Sequence, residues 1–363
     1  MNYFKVGTDF NLSLIDEVKK LNEKYEGKSK VSEFYGSIRK HSDVSARPSF
    51  RLPDRTLEEL EEFVKKANEI GVSVNYTLNS MVPYKSKIEL ENKKNEFVNL
   101  IHYLEKIGVK LVTVANPILL EILKDIKTSL KIEISTCAHI DTLTQIKYYK
   151  DMYNISKVCG NVLKNRNFTF LMKANKLCES IDVTYELMVN EFCGVGGEGY
   201  ATHCIYRDSC YICHALNETH NDMQLLGNYP MDMCTNSRNI DKSNWLKSQF
   251  IRPEDLKVYR DVTGINHFKI TGRTASLDYQ VKMLNAYMAE NFEGDLLELW
   301  KPLETITKEN NSDSVDYKII NNKDLEGFVN QFAYFGKDCS IEVCGETCKY
   351  CNKFYEKISK EEI

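Results

Sequence analysis

The cysteines are the residues of this 363-residue chain whose type and spacing most clearly indicate chemistry. There are twelve, and none precedes Cys137. Grouped thiolates are soft ligands that suit zinc or iron–sulfur clusters, whereas a disulfide framework would spread its cysteines through the chain. We therefore predict metal binding at an inner and a terminal group, which are Cys193, Cys204, Cys210, Cys213 and Cys234, and Cys339, Cys344, Cys348 and Cys351.

The spacing of the inner group favours an iron–sulfur cluster. Cys210 and Cys213 form its one C-x₂-C pair, whereas a zinc ribbon has two such pairs. We expect a [4Fe–4S] cluster held by separate loops. The glycines of Gly194–Gly199 fit G-x-G-x-x-G, but no amphipathic run follows to supply the helix N-terminus that holds a pyrophosphate. We therefore predict no NAD binding.

The terminal group predicts a second metal site. Cys344, Cys348 and Cys351 have the C-x₃-C-x₂-C spacing of radical S-adenosylmethionine enzymes. In those enzymes the motif follows the first barrel strand, whereas here it ends the chain, so an iron–sulfur cluster or a zinc that transfers electrons or fixes the tail is the better prediction. We expect a metal-binding tail over residues 336–363, joined to the preceding domain by a linker or helical extension over residues 296–335.

Short β-branched runs alternate with longer amphipathic segments along the first 290 residues. The predicted strands are Tyr3–Thr8, Val31–Ser37, Val72–Leu78, Lys110–Val114, Lys131–Thr136, Ser156–Val158, Ile181–Met188 and Asn266–Thr271. Thr56 and Glu59 resemble a capping box before a helix that begins near Leu57, and one long helix is expected over Lys87–Ile107.

This alternation predicts an α/β fold with a parallel sheet covered by helices, and eight units fit a closed (β/α)₈ TIM-type barrel. The barrel would span residues 1–295, with a Cys-rich insertion at residues 190–245 after the seventh strand. An open doubly wound sheet is the alternative. Such a sheet often carries a glycine-rich phosphate loop after its first strand, and residues 8–12 are not glycine-rich.

Chemistry in such a barrel lies at the C-terminal ends of its strands. Arg273 is expected there, where its forked guanidinium suits a carboxylate or phosphate of a substrate. The alternative is a structural pair between Arg273 and an acid such as Glu191. The candidate catalytic residues are Arg273, Tyr35, Asn79, His139 and Glu191. The alternative for each of them is an ordinary polar residue at a strand end or a helix N-cap.

Composition limits the partners. The net charge of −4 and pI near 6.1 give no overall attraction to nucleic acid. No run of about 18 apolar residues is present, and the first ten residues lack the pattern of a secretory signal. We therefore expect a cytoplasmic protein with no membrane span.

Several runs resemble the peptidase U32 (collagenase-like) family. They are Asn190-Glu191-x-Cys193, Cys204-x-x-Arg207, Cys234, Phe250–Leu256 and Gly264–Arg273. The resemblance implies a TIM-type barrel that binds a [4Fe–4S] cluster through Cys193, Cys204, Cys234 and one of Cys210 or Cys213. It also implies kinship with proteins needed for oxygen-independent hydroxylation of RNA or of the ubiquinone ring. The terminal cysteines are not part of the family's core pattern and suggest a divergent member.

Three functions remain open at this point. The first is an iron–sulfur-dependent redox enzyme that hydroxylates or otherwise oxidises a peptide, RNA or small-molecule substrate, with an electron donor or acceptor protein as partner. The second is a cysteine- or metal-dependent hydrolase, in which Cys137 and His139, two apart at the end of strand five, would face the same way. The third is a non-catalytic electron-transfer subunit. Homo- or heterodimers are compatible with all three.

Overall fold

Eight short parallel strands in the described part of the chain pair in chain order, and the eighth pairs with the first to close a barrel. The computed structural model describes residues 1–191, 210–212, 237, 240–273, 275–300 and 320–360. The strands are β1 (Asn2–Gly7), β2 (Ser29–Gly36), β3 (Ser73–Leu78), β4 (Leu111–Val114), β5 (Lys131–Ile134), β6 (Lys157–Cys159), β7 (Thr184–Met188) and β8 (His267–Ile270). The predicted (β/α)₈ class is confirmed, and the open sheet is wrong because β8 closes on β1.

Helices cover the outside of the barrel. They are α1 (Leu12–Lys24), α2 (Leu57–Glu69), α3 (Lys87–Asn92), α4 (Lys94–Lys106), α5 (Pro117–Lys124), α6 (Leu143–Tyr153), α7 (Phe168–Ser180), α8 (Asn244–Lys247), α9 (Leu256–Thr263), α10 (Leu277–Ala289), α11 (Asn330–Ala333) and α12 (Tyr350–Lys360). The capping box that opens α2 is confirmed, since the side chains of Thr56 and Glu59 bond each other's backbone amides.

Two predicted boundaries are wrong, each for a local reason. The helix expected over Lys87–Ile107 is two helices, because Lys93 leaves helical geometry (ψ 11°) and ends α3 where α4 begins. The fifth strand ends at Ile134 rather than at Thr136, since the Ser135 side chain accepts a hydrogen bond from the Cys137 amide and starts a 3₁₀ turn. Cys137 and His139 therefore do not lie on a strand.

The main apolar core lies between the barrel and its helices. Phe34 of β2 packs edge-on against Phe63 of α2, with ring centroids 5.3 Å apart. Because successive strand residues point to opposite faces, Glu33 and Tyr35 on either side of Phe34 point into the barrel. The sequence alternation thus assigns apolar residues to the helix-facing side and leaves the interior to polar ones.

The segment after the barrel packs onto the same core. Phe328 and Phe332 are 1% and 2% exposed. Arg252, which lies four residues before α9, donates from Nη1 to the Asn322 carbonyl at 2.7 Å. The Asn322 side-chain amide in turn donates to the Phe292 carbonyl at 2.7 Å. Residues 320–333 are therefore bonded to the barrel. Residues 301–319 of the expected linker lie outside the described residues.

Within the described residues, no helix combines the length and the apolar character that crossing a membrane requires.

Candidate active site at the barrel mouth

The barrel interior holds a layer of polar side chains, six of them charged, to which every strand contributes one. Each of these residues is less than a tenth exposed. Three lysines face three glutamates, so the layer balances its own formal charge. Its members, from β1 to β8, are Lys5, Glu33, Asn75, Thr113, Glu133, Lys157, Glu186 and Lys269.

Lys5 is the centre of this layer. Its ammonium lies 2.7 Å from a Glu186 oxygen, 3.5 Å from a Glu33 oxygen and in contact with Glu133. Lys157 completes the network from the other side, 2.9 Å from Glu33 and 3.4 Å from Glu186. Burial disfavours the Lys5 charge, but these carboxylates raise the pKa of Lys5 well above its ordinary value. Lys5, Lys157 and the three glutamates thus form a connected ion network.

One side of this layer has the donor atoms of a metal site. Glu133, Cys159 and Glu186 place ligand atoms within 4.8 Å of one another, the one such group of His, Cys, Asp and Glu among the described residues. Lys5, however, already lies against both carboxylates, and burial raises the pKa of the Cys159 thiol to about 12. A divalent ion would have to displace Lys5. We therefore regard the layer as the floor of the site.

Arg273 lies above this floor, just past the end of β8. It is 5% exposed, and Nη1 donates to Thr77 Oγ1 at 3.3 Å. No carboxylate among the described residues pairs with it, so the structural pair with Glu191 is absent. Burial and the neighbouring Arg47 lower the pKa of Arg273 to about 9, so it stays charged at neutral pH. A buried cation without an anion is costly, which points to an anionic ligand.

Gly7 at the end of β1 makes room for this arginine. A Cβ on Gly7 would lie 2.8 Å from Arg273 Cβ and 3.0 Å from its amide nitrogen. The segment after β8 therefore reaches its position only because residue 7 has no side chain.

Tyr35 lies between Arg273 and the layer of charged side chains that forms the floor of the site. Its hydroxyl donates to the Ile270 carbonyl at 3.3 Å. Its ring has the Lys269 ammonium 4.3 Å from the centroid, a cation–π contact. The structure thus brings two predicted candidates, Tyr35 and Arg273, to the same end of the barrel. It also brings in Lys269, which the sequence identified only as part of the β8 motif.

A histidine–tyrosine pair beside the loop after β2 was missed by sequence reasoning. His41 Nδ1 lies 2.6 Å from the Tyr76 hydroxyl, which also accepts the Ile38 amide at 3.1 Å. Burial, with a smaller effect of Lys40, lowers the pKa of His41 to about 4, so its ring is neutral at pH 7. The feature of the sequence that could have predicted this pair is the position of His41 in the loop after β2.

The described piece of the Cys-rich insertion covers the mouth. Tyr211 packs against the apolar group of Ala46, Ala115 and Cys137. Its ring centroid lies 5.6 Å from that of His139, a predicted candidate in left-handed geometry (φ 49°). Cys210 precedes Tyr211 and is half-buried. Cys193, Cys204, Cys213 and Cys234 lie outside the described residues.

The other predicted candidates take separate places. Asn79 follows β3 and accepts the Ala46 amide at 3.2 Å, which fixes the loop that carries Arg47. Glu191 is half-buried after β7. Cys137 is buried in the 3₁₀ turn, and two residues on such a turn do not share a face. The geometric basis for a Cys137–His139 pair is therefore wrong.

The four terminal cysteines lie on the segment that packs beside the loop after β6 and beside α8. None of them forms a disulfide. Cys351 is 8% exposed, and its thiol donates to the Leu246 carbonyl at 3.6 Å.

Comparison with known proteins identifies the family. The model of peptidase family U32 matches residues 42–293, more than half of the chain. The "Uncharacterized protease MJ1657" of Methanocaldococcus jannaschii is 26% identical over 357 residues, which cover 95% of this chain and 93% of that protein.

Among solved structures, the comparison found the U32 peptidase Mk0906, at 15% identity and a TM-score of 0.44. The match covers 64% of this chain and 84% of that one. The HpcH/HpaI aldolase from Desulfitobacterium hafniense DCB-2 is 10% identical with a TM-score of 0.33, covering 53% and 79%. The assignment rests on the sequence match, which agrees with the motifs at Phe250–Leu256 and Gly264–Arg273. The chain belongs to the peptidase U32 family.

Proposed function

We propose that this chain is an iron–sulfur-dependent redox enzyme that oxidatively modifies an anionic substrate at the barrel mouth. Oxygen-independent hydroxylation is the reaction we favour. Peptide, RNA and small-molecule substrates all offer the carboxylate or phosphate that the site requires, and a peptide or small molecule suits the net negative charge of the chain better than RNA does.

The Arg273 guanidinium is the observation from which we infer an anionic substrate. It is 5% exposed, and within the described residues its side chain donates to a neutral hydroxyl, that of Thr77. Arg47 lies close enough to lower its pKa, so two cations meet where the described residues place no acid. A carboxylate or phosphate would pair with this fork and supply the missing charge.

The residues of the inner cysteine group fit a [4Fe–4S] cluster. Five thiols occur within 42 residues of the loop after β7, and the described piece at residues 210–212 lies over the mouth. Four of these would hold the cluster: Cys193, Cys204, Cys234 and one of Cys210 or Cys213. When bound, the cluster supplies one-electron transfer.

The side chains of the mouth then have separate tasks. Arg273 binds the anion, and Tyr35 with the ionic floor closes the pocket from below. Tyr76, on the helix-facing side of β3, bonds His41 and accepts the Ile38 amide, so this pair fixes the loop that follows β2. Hydroxylation with water as oxygen source replaces C–H by C–OH and releases two electrons and two protons, so an electron-acceptor protein is required as co-reactant.

Hydrolysis is the second candidate, because the relative from Methanocaldococcus jannaschii is named a protease. Cys137 is a buried thiol that packs against Tyr211. A protease of this kind would cleave casein or gelatin without an electron acceptor and lose that activity in Cys137→Ser.

Iron and acid-labile sulfide are the first measurements, on full-length protein purified without oxygen, with electron paramagnetic resonance of the reduced protein. Cys234→Ala is expected to lose about four irons per chain, the content of one [4Fe–4S] cluster. Cys178→Ala is the matched control, because Cys178 is a buried thiol on α7 outside both groups. Its iron content should equal that of the wild type.

Zinc in place of iron would overturn this proposal. So would iron content that Cys234→Ala leaves unchanged, or proteolysis that persists after the iron is removed.

A further inference from the structure

Arg166 is a second buried arginine, located after β6 and outside the barrel mouth. It is 2% exposed. Its guanidinium carbon lies 5.1, 4.9 and 5.2 Å from the ring centroids of Phe250, Phe328 and Phe332. Three aromatic rings therefore replace the water that would otherwise solvate this charge.

The hydrogen bonds of Arg166 leave part of the guanidinium without a partner. Nη1 donates to the Leu246 carbonyl at 2.7 Å, and the buried Nη2 has no acceptor among the described residues. No carboxylate in the described part of the chain forms an ion pair with it. Aromatic faces stabilise a cation only in part, so a buried, incompletely bonded guanidinium calls for an anion nearby.

Two of the terminal cysteines, Cys351 and Cys339, lie beside this guanidinium. Cys351 donates to the same Leu246 carbonyl that Arg166 bonds. Cys339 lines a cleft of about 290 Å³ together with Arg166.

The remaining two cysteines are placed by a tight turn. Cys344 and Cys348 form a β-bridge, and the Gly345 amide donates to the Cys348 carbonyl at 2.8 Å. Gly345 has φ 86°, a left-handed geometry that glycine adopts without strain. The Lys337 ammonium, which donates to Glu342 Oε2 at 2.7 Å, lies close to Cys348.

The tail is fixed to the barrel by polar contacts at its last helix. The Asn352 amide donates to Ser243 Oγ at 2.8 Å and to an Asp241 oxygen at 3.3 Å. Both partners lie directly before α8, on the segment that leads out of the Cys-rich insertion. The four thiols thus belong to a docked unit, and the charges that face them come from the barrel as well as from the tail.

We propose that Cys339, Cys344, Cys348 and Cys351 bind a second iron–sulfur cluster and that Arg166 compensates its negative charge. Four thiolates around such a cluster carry a net negative charge. Arg166 faces them as a buried cation that forms no ion pair within the described residues, whereas Lys247, which lies near Cys344, is paired with Asp241. The proposal is independent of the inner cysteine group and of the reaction at the mouth.

The spacing of the sulfurs favours a cluster over zinc. Tetrahedral zinc with Zn–S bonds of about 2.3 Å brings its sulfurs to about 3.8 Å from one another. Among the described residues, no three of the four terminal sulfurs lie within 4.8 Å of one another. A cluster, whose thiolates bind different irons, holds them farther apart.

The test uses the full-length chain purified without oxygen. Cys348→Ala, at a half-buried position, is expected to lose about four irons that Cys234→Ala retains, whereas Cys178→Ala retains all of them. Arg166→Met is expected to keep the iron but to shift the midpoint potential of the terminal cluster to a more negative value, because a positive charge that favours the added electron is gone. Arg166→Lys should shift it less.

Circular dichroism melting of each variant checks that the fold is retained. Zinc bound in the tail, iron content unchanged in Cys348→Ala, or an unchanged potential in folded Arg166→Met would each overturn the proposal. If Cys234→Ala loses no iron while Cys348→Ala does, the proposed redox reaction at the mouth fails and the terminal cluster stands.

Discussion

At the scale of single residues, three buried arginines differ in what surrounds their charge. Arg252 is fully satisfied, with Nε and Nη2 donating to the two oxygens of Asp255 at 2.9 and 2.7 Å. Within the described residues, the Arg273 guanidinium donates a hydrogen bond to a hydroxyl. The Arg166 guanidinium donates to a carbonyl and lies against aromatic rings. Burial without an anion is a cost in stability, and such costs are found where a protein binds ligands.

This contrast predicts opposite effects of the same substitution at two of them. Arg273→Met should raise the free energy of unfolding by about 1–3 kcal/mol in phosphate-free buffer, because a desolvated charge is removed. Arg252→Met should lower it by about 3–5 kcal/mol, because Asp255 is left buried without its partner. Urea unfolding measures both. A loss of stability in Arg273→Met would show that its charge is already compensated in the ligand-free protein.

At the scale of the elements, each strand contributes one member to the ionic floor. Opposite charges are register partners at Lys5 with Glu33 and at Glu133 with Lys157, whereas β1 and β8 pair two lysines, Lys5 and Lys269. The network is closed without any ligand, so the floor holds the interior of the barrel together and leaves the mouth for chemistry. It also makes stability depend on the protonation of the carboxylates.

Glu186 on β7 should dominate the acid limit of stability. Burial would raise its pKa, but Lys5, Lys157 and Lys269 lower it to about 2. A carboxylate whose pKa is lowered on folding stabilises the protein above its unfolded value, near 4.5, and that stabilisation is lost as the pH falls towards 2. The free energy of unfolding should therefore fall over this range.

The check is urea unfolding at several pH values, with Glu186→Gln as the comparison. That variant should be less stable at pH 7 by about 3–5 kcal/mol, since Lys5 loses an anionic partner, but its stability should vary less between pH 4.5 and 2. Equal slopes for the two proteins would mean that other carboxylates control acid unfolding.

At the scale of the whole molecule, the terminal segment is part of the fold of this U32 family member. Phe328 stacks on Phe250 before α9 and on Tyr350 of α12, with ring centroids 6.3 and 5.3 Å apart. It also faces Arg166. One aromatic side chain thus links the barrel, the terminal helix and the buried guanidinium.

Phe328→Ala should therefore destabilise the barrel and release the tail together. We expect a loss of about 3–5 kcal/mol, because a buried ring leaves a cavity. Phe335→Ala is the control, since Phe335 is 72% exposed, and should change stability by less than about 0.5 kcal/mol. Thermal melting and limited proteolysis near residue 340 measure both effects. A tail that is cleaved early in Phe328→Ala while the melting temperature stays unchanged would show that the two parts are not coupled.

The sequence by itself determined the barrel, the capping box at Thr56, the family motifs and the grouping of the cysteines. These properties depend on local periodicity and spacing, which can be read along the chain. Tertiary structure alone decided that Glu33, Glu133 and Glu186 meet Lys5, that His41 meets Tyr76, and that Arg166 lies under the terminal thiols. Such contacts join residues tens to hundreds of positions apart, and the closure of the barrel and the docking of the tail bring them together.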